Sequence, residues 1–292
     1  MQDDTIDTEE TARDAVGTRA DSGKNTAAEQ ACSPPWDLLV TEGPVLVTAI
    51  HAGHTIRPSL QPHLALDEAG RLREEDPLTD YFLPAGDTVL RANRSRFECD
   101  LNRPVERCIT SDPAETWGVR VWNDTLPRAE IEASRAMHRH FYTLMAERVK
   151  AMIAAHGEVL VLDLHSYNHR RGSPNARLAP QSGNPDIDLG ATTLDHDAHG
   201  GLLAAFAEGL ASRPVRDAMP DVRVNIRWKD GGNFPEWLHA TFGAKACVIT
   251  LEYKKIFMDE WSGKADILAL QDLREGFHAG LARAGDWLAA RT

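Results

Sequence analysis

The chain has 292 residues, 42% hydrophobic and 26% charged, with a formal net charge of −12. Such a length holds one large globular domain or two small ones. The acidic balance excludes a broad nucleic-acid-binding surface, which needs a basic stripe, yet it allows a small anionic substrate in a cleft where local arginines reverse the field. The four cysteines (Cys32, Cys99, Cys108 and Cys247) show no CxxC spacing, so neither a zinc knuckle nor a thioredoxin-like motif is supported. The first residues, "MQDDTIDTEETARD", have neither the basic nor the apolar stretch of a secretory signal, and no apolar run approaches the length of a membrane span. The expected compartment is the cytoplasm, with reduced thiols.

Residues 1–35 are rich in Asp, Glu, Thr, Ala and Ser, and poor in large apolar side chains, so an acidic disordered tail is expected there. A single globular domain is expected over 36–292. "PVLVTAI" (Pro44 to Ile50) is short, continuous and β-branched, which predicts a buried strand. "TVLRAN" and "RFECDL" predict two more. The stretch from Ala129 to Gly157 is a long amphipathic helix with Ile131, Met137, Phe141, Leu144, Val149 and Met152 on one stripe and Gly157 as its stop. "EVLVLDLHSY" is a buried strand ending at His165. A helix is expected over Ala198 to Ala211. "DVRVNIRW" reads as a strand with Val222, Val224 and Ile226 alternating, "ACVITLEY" as a buried strand ending at Glu252, and Lys264 to Ala290 as the last helix. Apolar strands alternating with helices indicate a sheet covered on both faces: a three-layer α/β/α sandwich.

In such folds sites form in the crevice at the carboxyl ends of the strands. The strand ends here carry His51 and His54, His165, Glu252, and the pair Asn102 and Arg103. A catalytic zinc takes three protein ligands and keeps one open position, and a nearby carboxylate can take a proton from water. The planar guanidinium of an arginine pairs with both oxygens of a substrate carboxylate. These residue types form a working set for metal-assisted hydrolysis of an amide whose substrate carries a carboxylate. His51 and His54 can share a metal only if the chain turns between them, and Gly53 permits that turn. Asp163, two residues before His165, shares its strand face and is a candidate hydrogen-bond acceptor for it. Trp117 and Trp122 suit packing or one wall of the pocket. Cys99 and Cys247 read as buried hydrophobes.

"HAGHTIRP", "SRFECDLNRP", "VLDLHSY" and "WKDGGNF" together resemble the N-formylglutamate amidohydrolase family, over about Pro44 to Glu252. A more distant similarity is to zinc carboxypeptidases and aspartoacylases. The resemblance implies an α/β/α sandwich with a mixed, mostly parallel sheet, a bound zinc ion, and hydrolysis of an N-acyl amino acid, by default N-formyl-L-glutamate. It makes His51 and His165 metal ligands, with His54 or Asp80 as the third. It makes Glu252 the general base and Arg96 the group that polarises the scissile carbonyl. Asn102 and Arg103 become the substrate-carboxylate clamp, and Gly231 and Gly232 a turn that lets backbone approach the substrate. "HSYNHRRG" departs from the family pattern, so Arg170 and Arg171 are further substrate-binding candidates. That departure also leaves open a carboxypeptidase-like or amidase-like hydrolase of larger peptides. A metal- or ligand-binding module without catalysis is the third reading. Cobalt, iron or manganese would suit the same nitrogen and oxygen ligands. Oligomeric state is not legible.

Overall fold

Three apolar runs form the centre of one sheet. In the computed structural model, which describes residues 34–229 and 231–290, β2 (Val45–Ala49), β4 (Val159–Tyr167) and β7 (Ala246–Lys254) lie side by side and parallel. β4 and β7 are buried at every position, which is why they read as continuous apolar runs and not as an alternation. On one side, β3 (Thr88–Ala92) runs parallel to β2, and β1 (Trp36–Val40) pairs antiparallel with β3 at the edge. On the other, β5 (Ile187–Gly190) runs antiparallel to β7, and β6 (Val222–Val224) is parallel to β5. The sheet order is β1-β3-β2-β4-β7-β5-β6.

The remaining elements supply α1 (Glu68–Glu74), α2 (Arg128–His156), α3 (His196–Leu210), α4 (Asn233–Phe242) and α5 (Ile267–Ala289). Successive strand residues face opposite sides, and the core divides accordingly. Leu160, Leu162 and Leu164 of β4 pack with Phe206 of α3 and Phe277 of α5. Val159 and Val161 pack on the other face with Phe141, Met145 and Val149 of α2 and Phe234 of α4. Each such fully buried side chain stabilises the fold by about 1.5–3 kcal/mol relative to exposure. The result is the expected three-layer sandwich with a mixed sheet. Among the described residues no helix is long and apolar enough to cross a membrane. The expected acidic tail, apart from Pro34 and Pro35, lies outside the described residues.

Two expected strands are corrected. "RFECDL" forms no strand: Ser95 accepts backbone bonds from Glu98 and Cys99 through its carbonyl, and the segment coils into a turn. Phe97, Cys99 and Leu101 still face the core, which explains the misleading alternation. "DVRVNIRW" is strand only over Val222–Val224. Asn225 takes φ +59°, its side chain accepts from the amide of Ala191, and the chain turns away. The edge strand β1, the four-residue β5 and the helices α1 and α4 were not foreseen.

Candidate active site and metal centre

The face shared by α2 and α4 changes character at the carboxyl ends of the central strands. Along β4 that face reads Val159, Val161, Asp163, His165, while the opposite face stays apolar as far as Leu164. Parallel register sets His165 beside Glu252 of β7, and Thr48 of β2 beside Asp163. Thr48 donates to Asp163 Oδ1 at 2.7 Å, and His165 Nε2 meets Asp163 Oδ2 at 2.8 Å. His51, just past β2, sets Nε2 2.8 Å from Asp100 Oδ1. A carboxylate can only accept, so each ring carries its proton on Nε2 and, when neutral, offers a lone pair at Nδ1.

Both Nδ1 atoms face one carboxylate. Asp76 Oδ2 lies 3.0 Å from His165 Nδ1 and 3.3 Å from His51 Nδ1. Donor atoms of His51, Asp76 and His165 lie within 4.8 Å of one another, and all three residues are buried. This donor set fits a divalent cation. His51 Nδ1 is buried and makes no hydrogen bond. The other nitrogen of each imidazole is held by a carboxylate, the arrangement that orients metal-binding histidines. Two imidazoles and one carboxylate are also a ligand set of catalytic zinc. In the metal-free molecule, burial raises the pKa of Asp76, but the hydrogen bond to His165 and the nearby His51 imidazole outweigh it and hold the carboxyl far below its usual range. Burial likewise opposes charge on His165, and Asp163 with Asp76 outweighs it, leaving its pKa well above the usual imidazole range.

Above this cluster opens a cavity of about 490 Å³. Glu252 lines it, and burial pushes its pKa up to about 8 against the pull of His165. Arg96 lines another wall, 2.9 Å from Asp100 Oδ2, with its guanidinium 4.8 Å from the ring centre of Trp117. Arg103 also lines the cavity, 3.2 Å from Asp100, and donates to the carbonyl of Glu115. Helix α2 anchors this segment: His138 bonds to the carbonyl of Arg103, and Tyr142 donates to that of Leu101. Asn102 is tied down, donating to the carbonyl of Gly231 at 2.8 Å and accepting from the amide of Phe234. Gly231 and Gly232 take φ +72° and +103°. A Cβ on Gly232 would sit 2.4 Å from the Asn102 amide, so this cavity-lining turn admits no side chain.

The structure brings together His51, His165, Glu252, Arg96, Asn102, Arg103, Arg171, Gly231 and Gly232 around one cavity. It leaves three expected residues outside. His54 bonds through Nδ1 to the buried Glu75 at 2.5 Å, because the loop runs on past Gly53 instead of folding back. Gly53 is held so close that a Cβ would be 2.4 Å from the Arg94 carbonyl. Asp80 pairs with Arg91 at 2.7 Å, in a 3-10 turn over Thr79–Ala85. The third donor of the cluster is instead Asp76, from the same acidic segment but four residues earlier. Arg170 turns away to Asp259, while Arg171 lies 3.3 Å from Glu74. Sequence reasoning missed Asp76 and the role of Asp100 at His51. The run "EEDP" contains three acids, and spacing does not single out the last one.

A buried glutamate standing in register with one histidine of a His–Asp–His cluster, in a crevice at the strand ends, is the layout of a hydrolase. Comparison with known proteins gives the family. A family model for N-formylglutamate amidohydrolase matches residues 43–255, and the chain belongs to that family, among hydrolases of carbon–nitrogen bonds other than peptide bonds. An N-formylglutamate amidohydrolase from Ralstonia eutropha JMP134 superposes with a TM-score of 0.66 at 20% identity, over 88% of this chain and 99% of that one. A gene product from Agrobacterium tumefaciens superposes with a TM-score of 0.56 at 19% identity, over 91% and 98%. At these identities the likeness is one of fold. No curated protein matches significantly.

Proposed function

We propose that the protein hydrolyses the amide of an N-acyl amino acid, with N-formyl-L-glutamate as the default substrate and formate and L-glutamate as products. His51, Asp76 and His165 would hold a divalent cation, zinc by preference. Such an ion supplies Lewis acidity that polarises the scissile carbonyl and makes water easier to deprotonate. Glu252 accepts the proton of the attacking water and returns it to the leaving amine. Burial raises its pKa in the metal-free protein, and a neighbouring divalent charge would favour the carboxylate form that takes the proton. Arg96, fixed by Asp100, offers its guanidinium to the oxygen on which charge develops. Arg103 receives the substrate α-carboxylate. Asn102 lines the cavity beside Arg103 and also holds the Gly231–Gly232 turn against α4.

The observation that carries this reading is the register of Glu252 beside His165, with Nδ1 of His165 turned to Asp76. The direct test is to incubate zinc-loaded protein with N-formyl-, N-acetyl- and N-succinyl-amino acids and to assay free amine. Turnover that disappears in Glu252→Gln supports the reading. Stoichiometric zinc with no turnover of any of these substrates would sink it.

A further inference from the structure

Two buried thiols meet behind one wall of the site. Cys99 and Cys108 are both free, and they are 3% and 1% exposed. The Cys99 thiol hydrogen-bonds to the Cys108 sulfur, and Cys99 Sγ also lies 3.5 Å from the carbonyl of Ser134 in α2. The backbones are joined at the same place, because the amide of Asp100 donates to the carbonyl of Cys108 at 2.7 Å. The pair is unequal. The bond from Cys99 lowers the pKa of Cys108, the Arg135 guanidinium lowers it further, and together they outweigh burial. The same bond holds the Cys99 thiol well above its usual range. One sulfur inclined to ionise beside one that stays protonated suits an attacking and a resolving cysteine.

Cys108 also has a route to solutes. It lines a narrow pocket of about 10 Å³, room for a molecule little larger than water. Arg96, Arg103 and Trp117 line that pocket and the main cavity alike. The segment between the thiols carries part of the site. Asp100, Asn102 and Arg103 lie within 99–108, and Asp100 holds His51 Nε2 and the guanidinium groups of Arg96 and Arg103.

We infer that Cys99 and Cys108 form a reversible disulfide switch, in which a peroxide closes the bond and displaces Asp100 from His51. The inference goes beyond the proposed hydrolysis, since closing the bond needs neither metal nor substrate. The Cys108 thiolate attacks one peroxide oxygen, the O–O bond breaks, and hydroxide leaves and takes up the proton that Cys108 had released. The Cys99 sulfur then attacks the sulfenic acid on Cys108, the S–O bond breaks, and a second water leaves with the Cys99 proton. Two electrons pass from the thiols to the peroxide, which becomes two waters. A small thiol reverses the change by two exchange steps and is itself oxidised to its disulfide. Bonding draws the sulfurs well inside thiol contact, so Cys99 leaves the Ser134 carbonyl and the adjoining Asp100 moves with it. His51 then loses the acceptor that orients its ring.

The test compares reduced, peroxide-treated and re-reduced full-length protein. Arg107 precedes Cys108 and is a tryptic site between the two cysteines, so peptide mass mapping reads their bond directly. Near-stoichiometric hydrogen peroxide is expected to link Cys99 to Cys108 and to leave Cys247 reduced. Oxidation should shift the His51 ring signals in the NMR spectrum of metal-free protein, identified by their loss in His51→Gln. It should also weaken zinc binding at least about 10-fold in a chelator titration. Dithiothreitol should restore both. Cys108→Ser, which cannot form the bond, should show neither change, and Cys99→Ala makes the same comparison if that variant does not fold. Absence of the Cys99–Cys108 link, or a link that leaves the His51 signals and zinc affinity unchanged, overturns the switch. If neither redox form binds zinc, the metal reading of the proposed function falls, and the His51 signals alone decide the switch.

Discussion

Glu252 is held at a cost that can be measured without any substrate. Its pKa rises from the ordinary 4.5 to about 8, chiefly through burial. Below pH 4.5 the carboxyl is protonated in both folded and unfolded chains, and Glu252→Gln should match the wild type. Between 4.5 and 8 the unfolded chain releases the proton while the folded chain keeps it, so wild-type stability falls as pH rises. Above 8 the folded protein carries the full cost of a buried charge, which glutamine never acquires. The shift corresponds to at most roughly 5 kcal/mol, and relaxation around the charge brings the expected gain to about 3 kcal/mol. The assay is denaturant unfolding of metal-free wild type and Glu252→Gln at pH 5 and pH 9. The variant should be more stable at pH 9 and within about 1 kcal/mol at pH 5. Zinc should narrow the gap at pH 9, because a neighbouring divalent charge favours the carboxylate. A gain that is flat with pH, or a variant less stable at pH 9, refutes the argument.

Asp76→Asn should abolish stoichiometric zinc binding by elemental analysis, whereas Asp80→Asn should leave it intact and cost at most about 1 kcal/mol, the worth of its half-exposed pair with Arg91. Asp163→Asn removes the negative charge beside His165 Nε2 and should weaken zinc affinity by about 10–100-fold in a competitive chelator titration. Gly232→Ala meets both the φ of +103° and the 2.4 Å clash with Asn102. It should lower the unfolding free energy by about 2 kcal/mol or more, and activity with it. Lys255, its pKa lowered to about 8 by burial, donates to the carbonyls of Arg73 and Glu75, which lead into Asp76. Lys255→Met leaves both carbonyls unsatisfied and should cost about 2–4 kcal/mol in chemical denaturation, with weaker zinc binding.

The parts of this fold legible in the sequence are those where burial dictates composition. β4 and β7 are covered on both faces and so read as apolar runs, and α2 is long enough for its stripe to be unmistakable. The same logic exposed His165 and Glu252, since a polar residue at the end of an apolar run is conspicuous. Residues placed by loops were legible only where a motif resemblance carried them, as with Arg96, Asn102 and Arg103. Asp76 sits after α1, among other acids, and reaches the cluster only because the loop is bonded to the end of β7 through Lys255 and to His51 through the amide of Asp76. Arg227, which lines the cavity, looked like part of a strand, because nothing local to "VRVNIRW" reveals that Asp188, about forty residues earlier, pulls the amides of Ile226, Arg227 and Trp228 out of the sheet. Tertiary hydrogen bonds of that kind leave no periodicity behind.

Asp100 joins the two halves of the site and accounts for the charge paradox of the chain. It receives His51 Nε2, the guanidinium groups of Arg96 and Arg103, and the amide of Asn102. These contacts hold its pKa well below the usual carboxylate range, although burial alone would raise it. Two full positive charges and an imidazole converge on one negative charge, so the wall has a positive excess even when Asp100 is ionised. Across the whole chain, 44 acidic residues outnumber 32 basic ones. Among the described residues lining the cavity the balance is inverted, with six arginines and lysines against four acids, and burial raises the pKa of one of those acids, Glu252. A divalent cation on His51, Asp76 and His165 would shift the balance further. The field inside the cleft therefore opposes that of the surface. A doubly anionic substrate is repelled at a distance but favoured once inside, so its capture should rise with ionic strength at low salt as surface repulsion is screened.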